Sequence, residues 1–306
     1  MISHLTDLTE MAKKREKKTI VVAAAHDKDV LRAVTDAYRQ GISDAILVGD
    51  AGKITEILTE LGCDPKDYTI IHSTTDVECA KTAVREVREG HAHFLMKGLL
   101  GTADLMREVV DRDNGIRGDG LISHVMFFEQ ENYPKLLCLT DGGMITFPTL
   151  EQKVGILKNA ARTMKRLGYD RIQAACVCGA ESVNPKITAT TDAAKLSEMK
   201  EEWEPCNMNV FGPVGLDMAI SKSSCAHKKY EAEGAGEADI LMVPTYEVGN
   251  GIGKAMLYFG NAKNAGIIVG AKAPIILVSR SDTAQSKLAS IALASIAAEE
   301  PADNDF

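Results

Sequence analysis

Ala273–Ala298 reads APIILVSRSDTAQSKLASIALASIAA and divides into three parts. Pro274 to Val278 is an apolar, β-branched run, the composition of a buried strand. Ser279-Arg280-Ser281-Asp282 is a short polar joint. Asp282 and Gln285 then have the spacing of a capping box, which predicts a helix from about Thr283. From Leu288 to Ala298 that helix carries no charge and only two serines, as expected of a largely buried helix. An arginine-bearing joint therefore lies where a buried strand hands over to a buried helix. In an open parallel sheet that edge is where ligands bind. An arginine beside hydroxyls and a free helix N-terminus suits a phosphate. The alternative is an ordinary strand–helix turn with a surface arginine.

Upstream, the same alternation recurs. Thr19 to Ala25 (TIVVAAA), Ala45 to Val48, Tyr68 to Ile71 and His93 to Met96 read as strands. Amphipathic helices follow at about Asp29 to Arg39, Ala51 to Leu61 and Asp76 to Glu89, and Thr102 is expected to cap a further helix through Val110. Such alternation predicts right-handed βαβ units and a parallel sheet covered on both faces. The rhythm changes at Leu121 to Phe128 and Lys135 to Thr140, two apolar runs that read as an antiparallel pair. Thr149 and Gln152 make another capping box, opening a helix to about Leu167. Alternation then resumes through strands at Gln173 to Val177, Asn209 to Phe211 (ending in a turn at Gly212-Pro213), Ile240 to Val243 and Gly266 to Val269. The expected fold is α/β, with two doubly wound α/β/α domains. The first takes 1–135 plus 284–306, and the second takes 136–283.

Composition sets outer bounds. The 306 residues, 45% hydrophobic and 25% charged, suit about two soluble domains. A net charge of −8 argues against a general nucleic-acid binder, but not against an anionic ligand, which responds to local cations. The polar opening MISHLTDLTEMAKKREKK resembles neither a signal peptide nor an anchor, and no apolar run approaches the ~20 residues that span a bilayer. Seven cysteines, mostly in apolar runs and without a C-x-x-C pair, suggest reduced thiols in cytoplasm.

Other joints carry polar chemistry. Lys97-Gly98 ends a strand and Gly101-Thr102 leads into a helix, an arrangement that offers N–H groups and a lysine to an anion. Generic βα loops use the same residues. Thr245 to Lys254 contains Gly249, Gly251 and Gly253 at spacings that fit neither a dinucleotide fingerprint nor a P-loop. It reads as a strand-to-helix loop with polar atoms on Tyr246, Glu247 and Asn250. His26-Asp27 reads as solvated loop chemistry and Gly212-Pro213 as a turn. No histidine pair or acidic run has metal-site spacing, so no metal is expected.

Taken in order, FLMKGLLGTADLMREVV, FPTLEQKVGILKNAA, GPVGLDMAISKSSCAHK, ADILMVPTYEVGNGIGKAMLYFG and PIILVSRSDTAQSKLASIALA resemble the phosphate acetyltransferase and butyryltransferase family. The resemblance covers nearly the whole chain after about Thr19. Lys97-Gly98 and the SR-x-D-x-x-x-SK run from Ser279 to Lys287 favour its butyryl branch. The resemblance implies reversible acyl transfer between coenzyme A and orthophosphate. It also implies two α/β domains with a cleft between them, a shape related to that of isocitrate and isopropylmalate dehydrogenases. Its C-terminal segment returns to complete the first domain. Assembly would be a homodimer or a higher assembly of dimers, with acyl-CoA and phosphate as substrates and no tightly bound cofactor.

Residue by residue, Arg280 with the Ser279 hydroxyl would hold phosphate, with Lys97 and, by motif match, Arg107 as further phosphate ligands. A solvated helix arginine is the other reading of Arg107. Ser279, or backbone N–H groups of Lys97–Thr102 or Gly249–Gly251, would stabilise the tetrahedral intermediate. Gly98, Thr102, Gly249, Asn250 and Lys254 are the candidates for contacts with coenzyme A. The acetyl enzymes look to place a catalytic aspartate where this chain has Ser286. Asp282 is the nearest carboxylate for the base, with N-capping as its competing role. No covalent acyl-enzyme is required, so Cys225 reads as a small buried thiol. A phosphate acetyltransferase, a non-catalytic acyl-CoA sensor and a metal-dependent dehydrogenase of related shape are the alternatives. The SRSD joint weighs against the sensor and the missing acidic cluster against the dehydrogenase.

Overall fold

A computed structural model describes residues 2–118, 120–277 and 282–298. Ser279 and Arg280 lie outside the described residues. The chain divides into two compact units: a central unit with Leu121–Asn264 and the first few residues, and an N-terminal unit with Thr6–Gly120 and the described residues from Ala265 to Ala298. These limits differ from the boundaries expected at 135/136 and 283/284. The hairpin stays whole because strands Ser123–Glu129 and Leu137–Thr140 pair with each other, Met126 opposite Leu139. The return to the N-terminal unit begins earlier because strand Lys263–Val269 pairs antiparallel with Ile275–Ile276.

In the N-terminal unit, strand Lys18–Ala23 lies between Ser43–Gly49 and Phe94–Lys97, parallel to both. Thr69–His72 extends one side, and Ile275–Ile276 runs parallel to Phe94–Lys97 on the other. The strand order thus reverses between Lys18–Ala23 and Phe94–Lys97. Right-handed crossovers travelling in opposite directions place helices on opposite faces of a sheet. Accordingly, helix Ala284–Ala297 packs on Lys28–Arg39, and Thr102–Val109 packs on Asp76–Arg88. Phe94–Lys97 is buried along its whole length, as a strand covered on both faces should be.

Helix starts in this unit are mostly tied by side chains. Asp27 accepts from the Val30 amide, Asp50 from those of Gly52 and Lys53, and Thr75 from that of Glu78. Helix Thr102–Val109 is different: its N-cap is Gly101, not Thr102, and no side chain bonds there. The expected helix after Asp282 is present and almost wholly buried. Its cap is shifted by one residue, because Thr283 accepts from the Ser286 amide at 3.1 Å. The serines are absorbed internally: Ser290 Oγ donates to the Ser286 carbonyl and accepts from the Gly266 amide.

In the central unit, the hairpin strand Leu137–Thr140 continues into a parallel run with Ile240–Met242, Ile172–Val177 and Met208–Val214. Helix Leu150–Arg166 opens with the expected capping box of Thr149 and Gln152. Strand Met208–Val214 does not turn at Gly212-Pro213 as expected. It runs through a cis Gly212–Pro213 bond, and a register shift between Ala175 and Val177 absorbs the irregularity. The core of this unit gathers Phe128, Leu139, Ala175, Phe211, Met218 and Leu241. Two pairs of buried charges meet there, Lys153 with Asp192 at 2.7 Å and Lys135 with Asp239, while the buried Asp141 accepts from the amides of Gly143, Met144 and Ile145.

Candidate active site

The reversal of strand order in the N-terminal unit creates a crevice at the carboxyl ends of two strands. There the amides of Gly98 and Leu99 donate to the carbonyls of Ala23 and Ala24, both at 2.8 Å. Ala24 adopts a left-handed conformation (φ 54°) to present its carbonyl. Gly98 has no space for a side chain: a Cβ would collide with the Ala24 carbonyl and stand 2.7 Å from that of Ala23. Glycine at this position therefore allows two backbone segments to run in contact.

Lys97 is buried, and its Nζ donates to the carbonyls of Gly98 and Leu100. These bonds fold the 98–100 segment back over the ammonium and lead it into Gly101 and the uncapped start of helix Thr102–Val109. A buried cation beside amides with no side-chain cap is a suitable arrangement for an anion. Asp104 also lies at this helix start, since a Cβ on Gly101 would sit 2.8 Å from its carboxylate.

Strand Ile275–Ile276 runs parallel to Leu95 and Met96, so it delivers the following chain to the same sheet edge as Lys97. The joint containing Ser279 and Arg280 follows, outside the described residues. Where description resumes, Asp282 precedes the cap rather than forming it. Capping therefore does not account for its carboxylate. Its main-chain carbonyl accepts from Lys287 Nζ at 2.7 Å, and Lys287 is only 3% exposed. Lys97 and Lys287 are thus two buried ammonium groups, each bonded to main-chain carbonyls next to the proposed joint.

Sequence reading missed Lys287 as a contributor, although the SK pair closing the run was its signal. His26 was read as loop chemistry and lies at the end of the central strand, next to the cap Asp27. Its Nδ1 is buried without a hydrogen-bond partner among the described residues, against Gly49, where a Cβ would stand 2.7 Å away.

The other candidates have partners of their own. Arg107 is 66% exposed, bonds to Asp104 at 3.0 Å, and lines a cavity with Lys81, Arg85 and Arg88 that does not include Lys97. Gly249, Asn250 and Lys254 belong to the central unit. They lie within helix Tyr246–Tyr258, not in a loop as expected. Thr245 caps that helix, and the Gly249 amide already donates to the Thr245 carbonyl. Helical hydrogen bonding therefore removes Gly249–Gly251 as oxyanion donors. Packing explains Gly249 instead: a Cβ there would lie 2.7 Å from Cα of Gly142 and 2.8 Å from Val243. Lys254 sits over the Tyr258 ring, 5.9 Å from its centre.

All seven cysteines are free. Burial pushes the Cys225 thiol up, and its Sγ donates to the Met218 carbonyl at 3.1 Å. Burial likewise raises Cys178 to about 11 and Cys176 to about 12. Buried, protonated thiols are poor nucleophiles.

A family model described as phosphate acetyl/butaryl transferase matches residues 3–84 and 74–295. Phosphate butyryltransferase from Clostridium acetobutylicum is 39% identical over 298 residues, covering 97% of this chain and 99% of the relative. Phosphate acetyltransferase from Thermotoga maritima is 37% identical over 292 residues, covering 95% and 99%. Among solved structures, a branched-chain phosphotransacylase from Enterococcus faecalis superimposes with a TM-score of 0.81 at 30% identity, over 93% of this chain and 100% of the other.

Proposed function

This chain belongs to the phosphate acetyl/butaryl transferase family and is a phosphate acyltransferase, and we propose that within this activity it prefers butyryl and similar short acyl groups. The observation carrying that preference is the SR-x-D-x-x-x-SK run. Ser286 stands where the acetyl branch looks to have an aspartate. It is 5% exposed, bonded to the Thr283 cap through its amide, and accepts from Ser290. Lys287 of the same run restrains the Asp282 carbonyl. The run thus has its own internal bonding around the joint.

The proposed reaction is butyryl-CoA plus phosphate giving butyryl phosphate plus coenzyme A. Arg280 and the Ser279 hydroxyl hold hydrogen phosphate, and Lys97 adds positive charge at the neighbouring strand end. A phosphate oxygen attacks the thioester carbonyl carbon, and the tetrahedral oxyanion is met by Ser279 or amides of the Lys97–Thr102 segment. As the C–O bond forms, the C–S bond breaks, and the proton lost from hydrogen phosphate passes to the departing thiolate. Asp282 carries that proton, and in the reverse direction it takes it from the thiol. The buried thiols are consistent with direct transfer without an acyl-enzyme. Gly98 and Thr102 at this edge, and Asn250 and Lys254 of the central unit, remain the proposed contacts for coenzyme A.

We further propose a cytoplasmic homodimer or higher assembly of dimers, with no tightly bound cofactor. Free cysteines support the compartment. Highly exposed Phe147, Tyr258 and Phe259 on the central unit support assembly. No helix among the described residues is long and apolar enough to cross a membrane.

Release of free thiol from acetyl-, butyryl- and isobutyryl-CoA, with and without phosphate, tests the reading. Faster phosphate-dependent release from the four-carbon substrates is expected. Faster release from acetyl-CoA would support the acetyltransferase alternative, and no phosphate-dependent release would leave an acyl-CoA-binding role.

A further inference from the structure

We propose that the acyl tail of the thioester packs against Leu99, which thereby sets chain-length preference; this rests on the reading of the Lys97 sheet edge as the place of acyl transfer. Leu99 lies in the joint between strand Phe94–Lys97 and helix Thr102–Val109, and it is 39% exposed. Its neighbours Lys97, Gly98 and Leu100 are all buried, Leu100 being only 3% exposed.

A single exposed leucine is ordinary on a protein surface. This one differs because the local backbone cannot turn it inward. The Gly98 and Leu99 amides donate to the Ala23 and Ala24 carbonyls at 2.8 Å. Lys97 Nζ donates to the carbonyls of Gly98 and Leu100 at 3.2 and 3.1 Å. The main chain is therefore held at each residue from Gly98 to Leu100, and Leu99 can change only its rotamer. An apolar side chain is thus kept facing solvent beside a buried ammonium and a helix start that suit an anion.

A thioester calls for that combination. Its carbonyl oxygen gains negative charge as phosphate attacks, while the alkyl tail on the same carbon stays apolar. The Gly98 and Leu99 amides are spent on the neighbouring strand end. Among the described residues of this segment, that leaves the oxygen the amides from Leu100 to Thr102, at a helix start without a side-chain cap. Leu99 is one residue from the first of these, and successive Cα atoms are about 3.8 Å apart. A butyryl tail spans that distance, whereas the methyl of an acetyl group falls short. From Lys97 to Thr102, and again from Asp282 to Lys287, Leu99 is the only large apolar side chain open to solvent.

The test is steady-state kinetics of the full chain with acetyl-, propionyl- and butyryl-CoA at saturating phosphate, comparing wild type with Leu99→Ala and Leu99→Met. The side chain is exposed, so truncation leaves the core intact, and thermal melting checks that each variant is folded. In Leu99→Ala, kcat/KM should fall about tenfold more with butyryl-CoA than with acetyl-CoA, the low end for an apolar contact, with propionyl-CoA between them. Leu99→Met keeps the apolar volume and should restore most of the difference. An equal loss with all three substrates would overturn the proposal, since Leu99 would then serve a part of coenzyme A that they share. Unchanged constants would overturn it too. The substrate that the wild type prefers is a separate result: a preference for acetyl-CoA would refute the butyryl reading, whereas the change in the ratio on substitution still decides the role of Leu99.

Discussion

Lys287 donates its buried ammonium to the main-chain carbonyl of Asp282 at 2.7 Å, reaching back over the helix start that Thr283 caps. That bond fixes the far end of the joint proposed to carry phosphate. In Lys287→Gln the joint loses this restraint and a nearby positive charge. The KM for phosphate should rise about tenfold, the scale of one charge-assisted hydrogen bond. The KM for acyl-CoA should move much less. Steady-state kinetics with each substrate varied in turn provides the check, because a purely structural role would lower stability without separating the two constants.

Gly98→Ala tests the crevice. The added methyl meets main-chain oxygens of Ala23 and Ala24, which cannot rotate away. A loss of about 2–3 kcal/mol is expected, the range of overpacked cores. Urea denaturation would show it as a lower midpoint with an unchanged slope, and an unchanged midpoint would mean that the strands separate easily.

Thr283 and Asp282 have different roles, and paired variants separate them. Thr283→Ala should cost about 1 kcal/mol through loss of the cap, and Thr283→Ser should recover most of it. Asp282→Asn keeps the side chain's shape and removes its ability to carry a proton. Its kcat should fall sharply while its melting temperature stays near wild type. Full activity in the asparagine form would remove Asp282 as the base.

The fold was readable because burial leaves a composition signature. The uncharged run from Leu288 to Ala298 and the all-apolar Phe94–Met96 could only sit inside. Caps were less readable: Asp282 and Thr283 both suit an N-cap, and the choice depends on where the preceding strand ends. Gly249, Gly251 and Gly253 looked like a loop because glycine disfavours helices. Gly249 and Gly253 serve close packing, against Gly142 for the first and against Phe128 and Leu139 for the second, and those partners are distant in sequence, whereas a Cβ on Gly251 would meet open space.

His93 links stability to pH. Its Nδ1 accepts from the Thr19 amide at 3.0 Å. Burial first, and the Lys18 charge second, lower its pKa from the ordinary 6.5. Folding therefore favours the neutral ring. Its full stabilising contribution is present above the unfolded-state pKa and is lost as pH falls from there through the folded-state value. Against wild type, His93→Gln should show a flatter decline in denaturation midpoint below about pH 6.5. Parallel curves for the two proteins would assign that decline to other groups.

Arg280→Lys carries the sharpest test of the proposed phosphate ligand. Both residues are cationic, so a role limited to charge would survive the exchange. A guanidinium gives phosphate two parallel hydrogen bonds and fixes which oxygen faces the thioester, whereas an ammonium acts as a point charge. If orientation matters, Arg280→Lys should lose kcat by about ten- to a hundredfold and also weaken phosphate use, while Arg280→Ala loses more. Binding of coenzyme A, measured by calorimetry without phosphate, should be nearly unchanged in both variants. Unchanged phosphate kinetics in Arg280→Ala would place the phosphate on Lys97 and the helix start at Thr102 instead.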